Sequence, residues 1–346
     1  MAKLPEPQHT TLRAIERAVE AEAESGFRAH LGASVIGQEC ERAVWYGFRW
    51  ATERRHPGRI LRLFARGQRE EAVLVDLLRK AGVEVWEADD QGRQFRVSAV
   101  GGHFGGSLDG VGRGFVEAPE KPHVLEFKTS GDKAFRDLVK HGVEKSKPEH
   151  YAQMMAYMHL MGIDRAYYLA VNKNDDSLHA ERVRYSAAAG DAVLAKAQRV
   201  IASDRPLPKL SDDPAFFKCK WCDHAPTCHG QAVPVPTCRS CVHATPEMDG
   251  NGRWSCAALG KDLTADEQLV GCPSHAFIPD LLASWAEQTD VNGVNIEYSN
   301  RRNGLTFANG PGAYSSAELY QAGDLGVIGD EVVDELRRDL GGRACG

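Results

Sequence analysis

An acid lodged between two large apolar residues constrains this chain more than anything else in it. The stretch VLEFKTS, residues 124–130, reads as a strand. Alternate residues of a strand face opposite ways, so Glu126 and Lys128 project together while Phe127 turns into a core. Leu125 and Phe127 mark the strand as interior, and a carboxylate there is costly unless something binds it. Upstream, SLDG reads as part of a second strand, which carries Asp109. Two carboxylates and an amine converging at one sheet edge suit a hard cation, magnesium or manganese. A cation there can polarise a phosphate and activate a water. Asp-Gly is also a common turn signal and Glu-x-Lys a common solvated face, so the motif by itself leaves both readings open.

The remaining elements are those of an α/β protein. Residues 11–24 suggest an amphipathic helix, and Ser34 a helix cap with Cys40 on the helix that follows. A long helix is expected from Gly58 to Lys80. On it Arg59, Arg62, Arg66 and Arg69 recur at three- and four-residue steps and form one stripe, either a solvated face or a rail for phosphates. Strands are expected over 83–86 and 94–100. A polar stretch after VLEFKTS precedes a helix opened by Pro148, with Gln153 and Tyr157 four apart on one face. Two strands, 165–173 and 178–185, and a helix over 187–203 complete a mixed central sheet flanked by helices.

The net charge of −6 advertises no polyanion, so any nucleic-acid surface must be local. The N-terminal residues lack an apolar signal core and no apolar run is long enough for a bilayer, so a cytoplasmic protein without membrane contact is expected. In that compartment nine cysteines point to metal rather than disulfides. Cys219, Cys222 and Cys228 form C-x2-C-x5-C, a metal loop lacking a fourth ligand, for which His224, His229 and Cys40 compete. After a proline-containing linker, 231–237, Cys238, Cys241, Cys256 and Cys272 read as a structural zinc knuckle or ribbon, with His243 and His275 as rival ligands. Cys345 reads as incidental. The tail is expected to hold a helix over 277–287, a hairpin turning at Asn303-Gly304, and a helix over 330–340.

The motifs also carry a resemblance. RG-x3-E at Arg66, Gly67 and Glu71, then LDG at Asp109, EFK at Glu126–Lys128, Q-x3-Y at Gln153 and Tyr157, and four cysteines follow one another in a definite order. The set resembles the PD-(D/E)XK nucleases, and among them the RecB-like iron–sulfur exonucleases, which include a CRISPR-associated family and the AddB nuclease domain. The resemblance implies a restriction-endonuclease-like core over 1–230, with 238–346 as a small Cys-rich domain. It implies that Glu71, Asp109, Glu126 and the carbonyl of Phe127 hold Mg²⁺ or Mn²⁺, while Lys128 orients or helps deprotonate a water. Glu70, adjacent to Glu71, points about 100° away on the helix, so only one of them can face the site. Gln153 and Tyr157 are then expected near the DNA and the active site. Cys40, Cys219, Cys222 and Cys228 are expected to bind a [4Fe–4S] cluster that staples distant parts of the chain. The expected function is a metal-dependent deoxyribonuclease, an exonuclease on single strands or ends leaving 5′-phosphates. Its setting would be recombination, repair or phage DNA metabolism, with a recombination or replication protein as partner. The alternative is a catalytically silent DNA-binding scaffold with structural zinc sites.

Overall fold

The computed structural model describes residues 10–23 and 26–343. Cys345 lies outside them. The chain divides into two compact units, each assembled from separated segments.

Among the described residues the first unit combines 10–23, Gly26, 54–96 and 107–186. Its core is a five-stranded mixed sheet in the order Glu84–Trp86, Gly110–Arg113, His123–Ser130, Arg165–Asn172, Leu178–Arg184. The third strand is the VLEFKTS strand. It runs antiparallel to Gly110–Arg113, with Gly110 opposite Leu125, and parallel to Arg165–Asn172, with Glu126 opposite Tyr168. A parallel neighbour requires a long crossover, which the helices Asp132–Ser146 and Pro148–Met161 provide. The second of these starts on a proline, whose missing N–H costs nothing at that position, and ends on left-handed Gly162. The long helix Gly58–Lys80 lays Leu74, Val75 and Leu78 against Val83, Val85, Phe115, Leu125, Phe127 and Leu169. Phe127 is thus the anchor that fixes which way Glu126 must face. Full burial of one such side chain is worth about 1.5–3 kcal/mol, so a one-residue register slip is strongly opposed.

Three expectations for this unit are corrected. Asp109 does not lie on a strand but in the short break between Phe104–Ser107 and Gly110–Arg113, because the aspartate-glycine pair interrupts the pleat. The acids gather in the middle of the sheet rather than at its edge, since their strand is third of five. The polar stretch after the strand is a helix, Asp132–Ser146, whose charged residues hide three buried apolar positions, Phe135, Leu138 and Val143. Gly142, at φ 74° and ψ 167°, breaks its last turn.

Among the described residues the second unit combines Phe27–Glu53, Val97–Gly106 and 187–343. This departs from the expected division at 230 and 238. The segment 27–53 is riveted into the C-terminal half. Trp45 Nε1 donates to Ser203 O at 3.0 Å and Arg49 to Ala244 O at 3.0 Å. The buried Arg239 guanidinium sits 3.7 Å from the Trp50 ring centroid and donates to Gln268, Phe48 O and Ala29 O. Within the 231–237 segment, Val235 N donates to Ala51 O and Thr237 closes a capping box with Ser240. Packed and hydrogen-bonded in this way, the prolines are part of the unit rather than a spacer. Cys40 precedes the helix Glu41–Phe48 instead of lying on it, and Ser34 sits inside the short helix Ala33–Ile36.

Two antiparallel three-stranded sheets follow: Ala244–Pro246, Trp254–Cys256 and Lys261–Leu263, then Ala286–Asn292, Asn295–Asn300 and Thr306–Asn309. The expected helix over 277–287 is absent. Pro279 opens only a single 3-10 turn, and the chain then extends to pair across the Asn292-Gly293 turn, where Gly293 has φ 63°. Trp285, Tyr298 and Phe307 stack to form the core of that sheet. The final helix, Glu331–Leu340, is capped by Asp330, whose carboxylate accepts from Val332 N and Val333 N. Among the described residues no helix is long and apolar enough to cross a membrane.

Candidate active site

The site is built by the central strand of the first unit. Glu126 is fully buried, 0% exposed, between the anchors Leu125 and Phe127. Its Oε1 is in ion-pair contact with Lys128 Nζ. Neither carboxylate oxygen accepts a well-directed hydrogen bond. Asp109 reaches the same strand from the break that precedes Gly110. Its Oδ2 accepts from Phe127 N at 2.7 Å, where no neighbouring strand supplies the acceptor. Glu71 projects from the long helix and feels the charges of both Asp109 and Lys128. The adjacent Glu70 instead lies 3.9 Å from Arg66.

The charges of these groups are mutually tuned. Burial pushes the Glu126 carboxyl up to about 7; attraction to Lys128 opposes the rise and repulsion from Asp109 and Glu71 adds to it. Burial also raises Asp109, against the pull of Lys128 and the Phe127 N–H. Glu71 is raised by burial and then by the Asp109 charge. Burial works against the Lys128 ammonium, yet Glu126, Asp109 and Glu71 together carry its pKa above the ordinary lysine value. Three carboxylates therefore face one ammonium, and the site lacks positive charge. Like-charged carboxylates crowded this way are stabilised by a cation.

Among the described residues no group of three or more His, Cys, Asp or Glu is arranged as a finished metal cage. Magnesium does not require one. It binds through one or two carboxylates and completes its shell with water and substrate phosphate oxygens. Glu126, whose oxygens accept no well-directed hydrogen bond, fits that demand together with Asp109, whose charge it feels.

Gln153 and Tyr157 lie in the core, near the break that carries Asp109. They are 7% and 2% exposed, so neither presents a surface to DNA. Tyr157 Oη donates to Ser107 O at 2.8 Å, and Gln153 Nε2 donates to Tyr157 Oη at 3.3 Å. Ser107 is two residues before Asp109, so this chain of hydrogen bonds holds the break that aims the carboxylate. The fully buried Met154 and Met155 wedge the same helix into the core.

One residue escaped the sequence reading. His150 Nδ1 pairs with Tyr168 Oη at 2.9 Å, and Tyr168 lies opposite Glu126 in the sheet. Burial first, then the positive charges of Lys128 and Lys147, push the His150 pKa down to about 3. It is a neutral imidazole held on the Tyr168 hydroxyl. Its signal in the sequence is weak, because its partner comes from another strand.

The arginine stripe is exposed along its helix, as its spacing implies. It is partly neutralised. Arg62 pairs with Glu16 at 2.7 Å, and Arg66 is close to Glu70 and donates to Lys173 O at 3.4 Å.

Among the described residues the second unit holds eight free thiols, in two sets of four. Cys40, Cys219, Cys222 and Cys228 line one small cavity together with Tyr46 and His224. The His224 ring is already engaged by Thr52 Oγ1. His229 lines the same cavity. In the other set, burial and the neighbouring thiols push Cys238 up to about 12. Burial takes Cys241 to about 11, although the N–H groups of His243 and Ala276 donate to it. His275 is no rival ligand, since its nitrogens meet Thr237 O at 2.8 Å and Ser316 Oγ at 2.7 Å. His243 Nε2 is buried without a hydrogen-bond partner. Four sulfur donors suit zinc or an iron–sulfur cluster.

No protein-family model matches the chain, and no curated protein matches it. Among solved structures it is similar to LHK-Exo in complex with dAMP, at 14% identity and a TM-score of 0.35, over 55% of this chain and 91% of that one. It is similar to an alkaline exonuclease (LHK-Exo) from Laribacter hongkongensis, at 14% identity and a TM-score of 0.36, over 55% and 91% of the two chains. It is also similar to SSO0001, at 14% identity and a TM-score of 0.38, over 63% and 96%. Likenesses this distant leave the reading of the chain to the side chains described above.

Proposed function

We propose that the first unit is a divalent-cation-dependent nuclease that hydrolyses DNA phosphodiester bonds, acting as an exonuclease on single strands or ends. The observation that carries this reading is Glu126: a sealed carboxylate with no well-directed hydrogen bond, next to a lysine that stays charged and within reach of a second and third acid. Glu71, Asp109, Glu126 and the Phe127 carbonyl would hold the cation. A hard cation bound there supplies Lewis-acid polarisation of the scissile phosphate and a lowered pKa for its water.

The chain's own residues do the rest. Lys128, with its pKa raised by three carboxylates, is an ammonium at neutral pH. It therefore donates: it orients the attacking water and offsets charge gathering on the phosphoryl oxygens. The Asp109 carboxylate is held in register by the Phe127 N–H, and Tyr157 holds the segment that carries Asp109. Phe127, Leu125 and Leu169 keep bulk water from behind the strand.

In the second unit, Cys40, Cys219, Cys222 and Cys228 would bind a [4Fe–4S] cluster, and Cys238, Cys241, Cys256 and Cys272 would bind zinc. Each set joins segments far apart in sequence, so metal would act as a staple. The test of the nuclease reading uses Asp109→Ala and Lys128→Ala with labelled single- and double-stranded DNA and Mn²⁺. Cleavage by the parent and its loss in both variants is expected. Variants as active as the parent would remove these residues from the reaction.

A further inference from the structure

The helix Asp132–Ser146 leaves the end of the catalytic strand, yet nothing in the site uses it. Lys133, Arg136, Asp137, Lys140 and His141 recur at three- and four-residue steps and occupy one face. That face is exposed, while Phe135 and Leu138 bury the other. Gly142 interrupts the helix, and Val143 N is caught by Glu181 Oε2 at 2.8 Å. The turn brings Lys147 back beside the basic face, and one open groove is lined by Lys133, Arg136, Lys140, His141 and Lys147.

The one acid that lines the groove, Asp137, and Asp132 at the start of the helix are already engaged. Asp132 is bound by Arg136 at 2.5 Å, and Asp137 by His141 at 2.9 Å. Lys133, Lys140 and Lys147 have no acidic partner among the described residues. This concentration of cationic charge sits on a chain of net charge −6. The helix that carries the groove starts at Asp132, two residues after the strand of Glu126 and Lys128 ends at Ser130. Lys133 and Lys140 stand about 10 Å apart along the helix, too far to share one phosphate, so they would meet different phosphates of a strand.

We propose that this groove is the track for the phosphate backbone of a single DNA strand, leading it to the acids at the centre of the sheet. Lys133, Lys140 and Lys147 contact phosphates and read no bases. The inference deepens the nuclease reading and rests on it only for where the strand leads. The track also differs from the arginine stripe, where Arg62 is held by Glu16.

The test is fluorescence anisotropy of a labelled oligothymidylate on the full chain in EDTA, with KCl varied so that the salt slope is read. In the combined Lys133→Gln, Lys140→Gln, Lys147→Gln variant the slope of log K against log salt should fall by about 2, and affinity at 0.1 M salt by about 100-fold, from three lost contacts each weighing about 0.7. The corresponding Lys→Arg triple should restore both, which separates lost charge from misfolding. Arg59→Gln with Arg69→Gln should change the slope little. An unchanged slope in the glutamine triple, or no binding by the parent, would overturn the proposal. A parent that binds with the expected slope but cleaves no DNA with Mn²⁺ would leave the track standing and refute the nuclease reading.

Discussion

Replacing Glu126 with glutamine should make the metal-free protein more stable while removing its activity. The carboxyl titrates at about 7 in the folded chain, against 4.5 for an ordinary glutamate. That displacement corresponds to about 3 kcal/mol, taking about 1.4 kcal/mol for each tenfold change in proton affinity. The sign follows from linkage. A carboxyl with a raised folded pKa contributes nothing adverse below 4.5, weakens the fold as pH climbs towards 7, and holds it at the lower level above that. Lys128 stays charged throughout this window and does not alter the trend. Asp109 and Glu71 are raised in the same direction, so the slope of the parent alone exceeds the share of Glu126. Comparison with Glu126→Gln isolates that share. Urea unfolding in EDTA at a series of pH values should give matching stabilities in acid, with the variant ahead by up to about 3 kcal/mol above neutrality. Parallel profiles, or a variant less stable in base, would refute the argument that burial and crowding of charge dominate at this site.

The remaining predictions probe other parts of the molecule. Mg²⁺ or Mn²⁺ at about 100 times its dissociation constant should stabilise the parent by about 2.7 kcal/mol, with Glu126→Gln and Asp109→Asn gaining far less; equal gains in all three would place the cation elsewhere. Protein purified without oxygen should be brown, and Cys40→Ser should lose the visible absorbance and bound iron; a colourless, zinc-only parent would rule out the cluster. Gly142→Ala should cost about 1–3 kcal/mol, because its backbone conformation is nearly restricted to glycine and the added carbon would lie 3.3 Å from Glu181 Oε1. Thermal melts that leave the midpoint unmoved would contradict the strain assigned to that turn.

The legible parts of this fold were those whose signal is local. The helix Gly58–Lys80 matches the reading of its apolar spacing at both ends. Pro148 and Gly162 bracket their helix, the one with a ring that fixes φ at the start and the other with a left-handed backbone at the end. Glu126 stood out because an acid between Leu125 and Phe127 is anomalous in any interior strand. The helix Asp132–Ser146 was obscured because basic residues dilute its apolar stripe to three positions. The hairpin across Asn292-Gly293 carried a turn signal that the apolar run around Trp285 outweighed. The Met-rich helix of Gln153 and Tyr157 suited a packed core as well as a contact near the substrate; both residues are buried, with Tyr157 on Ser107 O. The division of the chain was not legible at all, since the partners of Trp45, Arg49 and Arg239 lie far away in the sequence and leave no mark on their neighbours.

That separation bears on how the protein is born. The first unit is complete once Ser186 has been synthesised. Arg49 must wait for Ala244, 195 residues later, and Ala29 for Arg239, 210 residues later. At about 5–20 residues per second a ribosome needs about 10–40 seconds to deliver those partners. Through that interval Trp45, Tyr46 and Phe48, all destined for the interior, remain uncovered on the nascent chain. The segment 27–53 is therefore where a chaperone would be needed first.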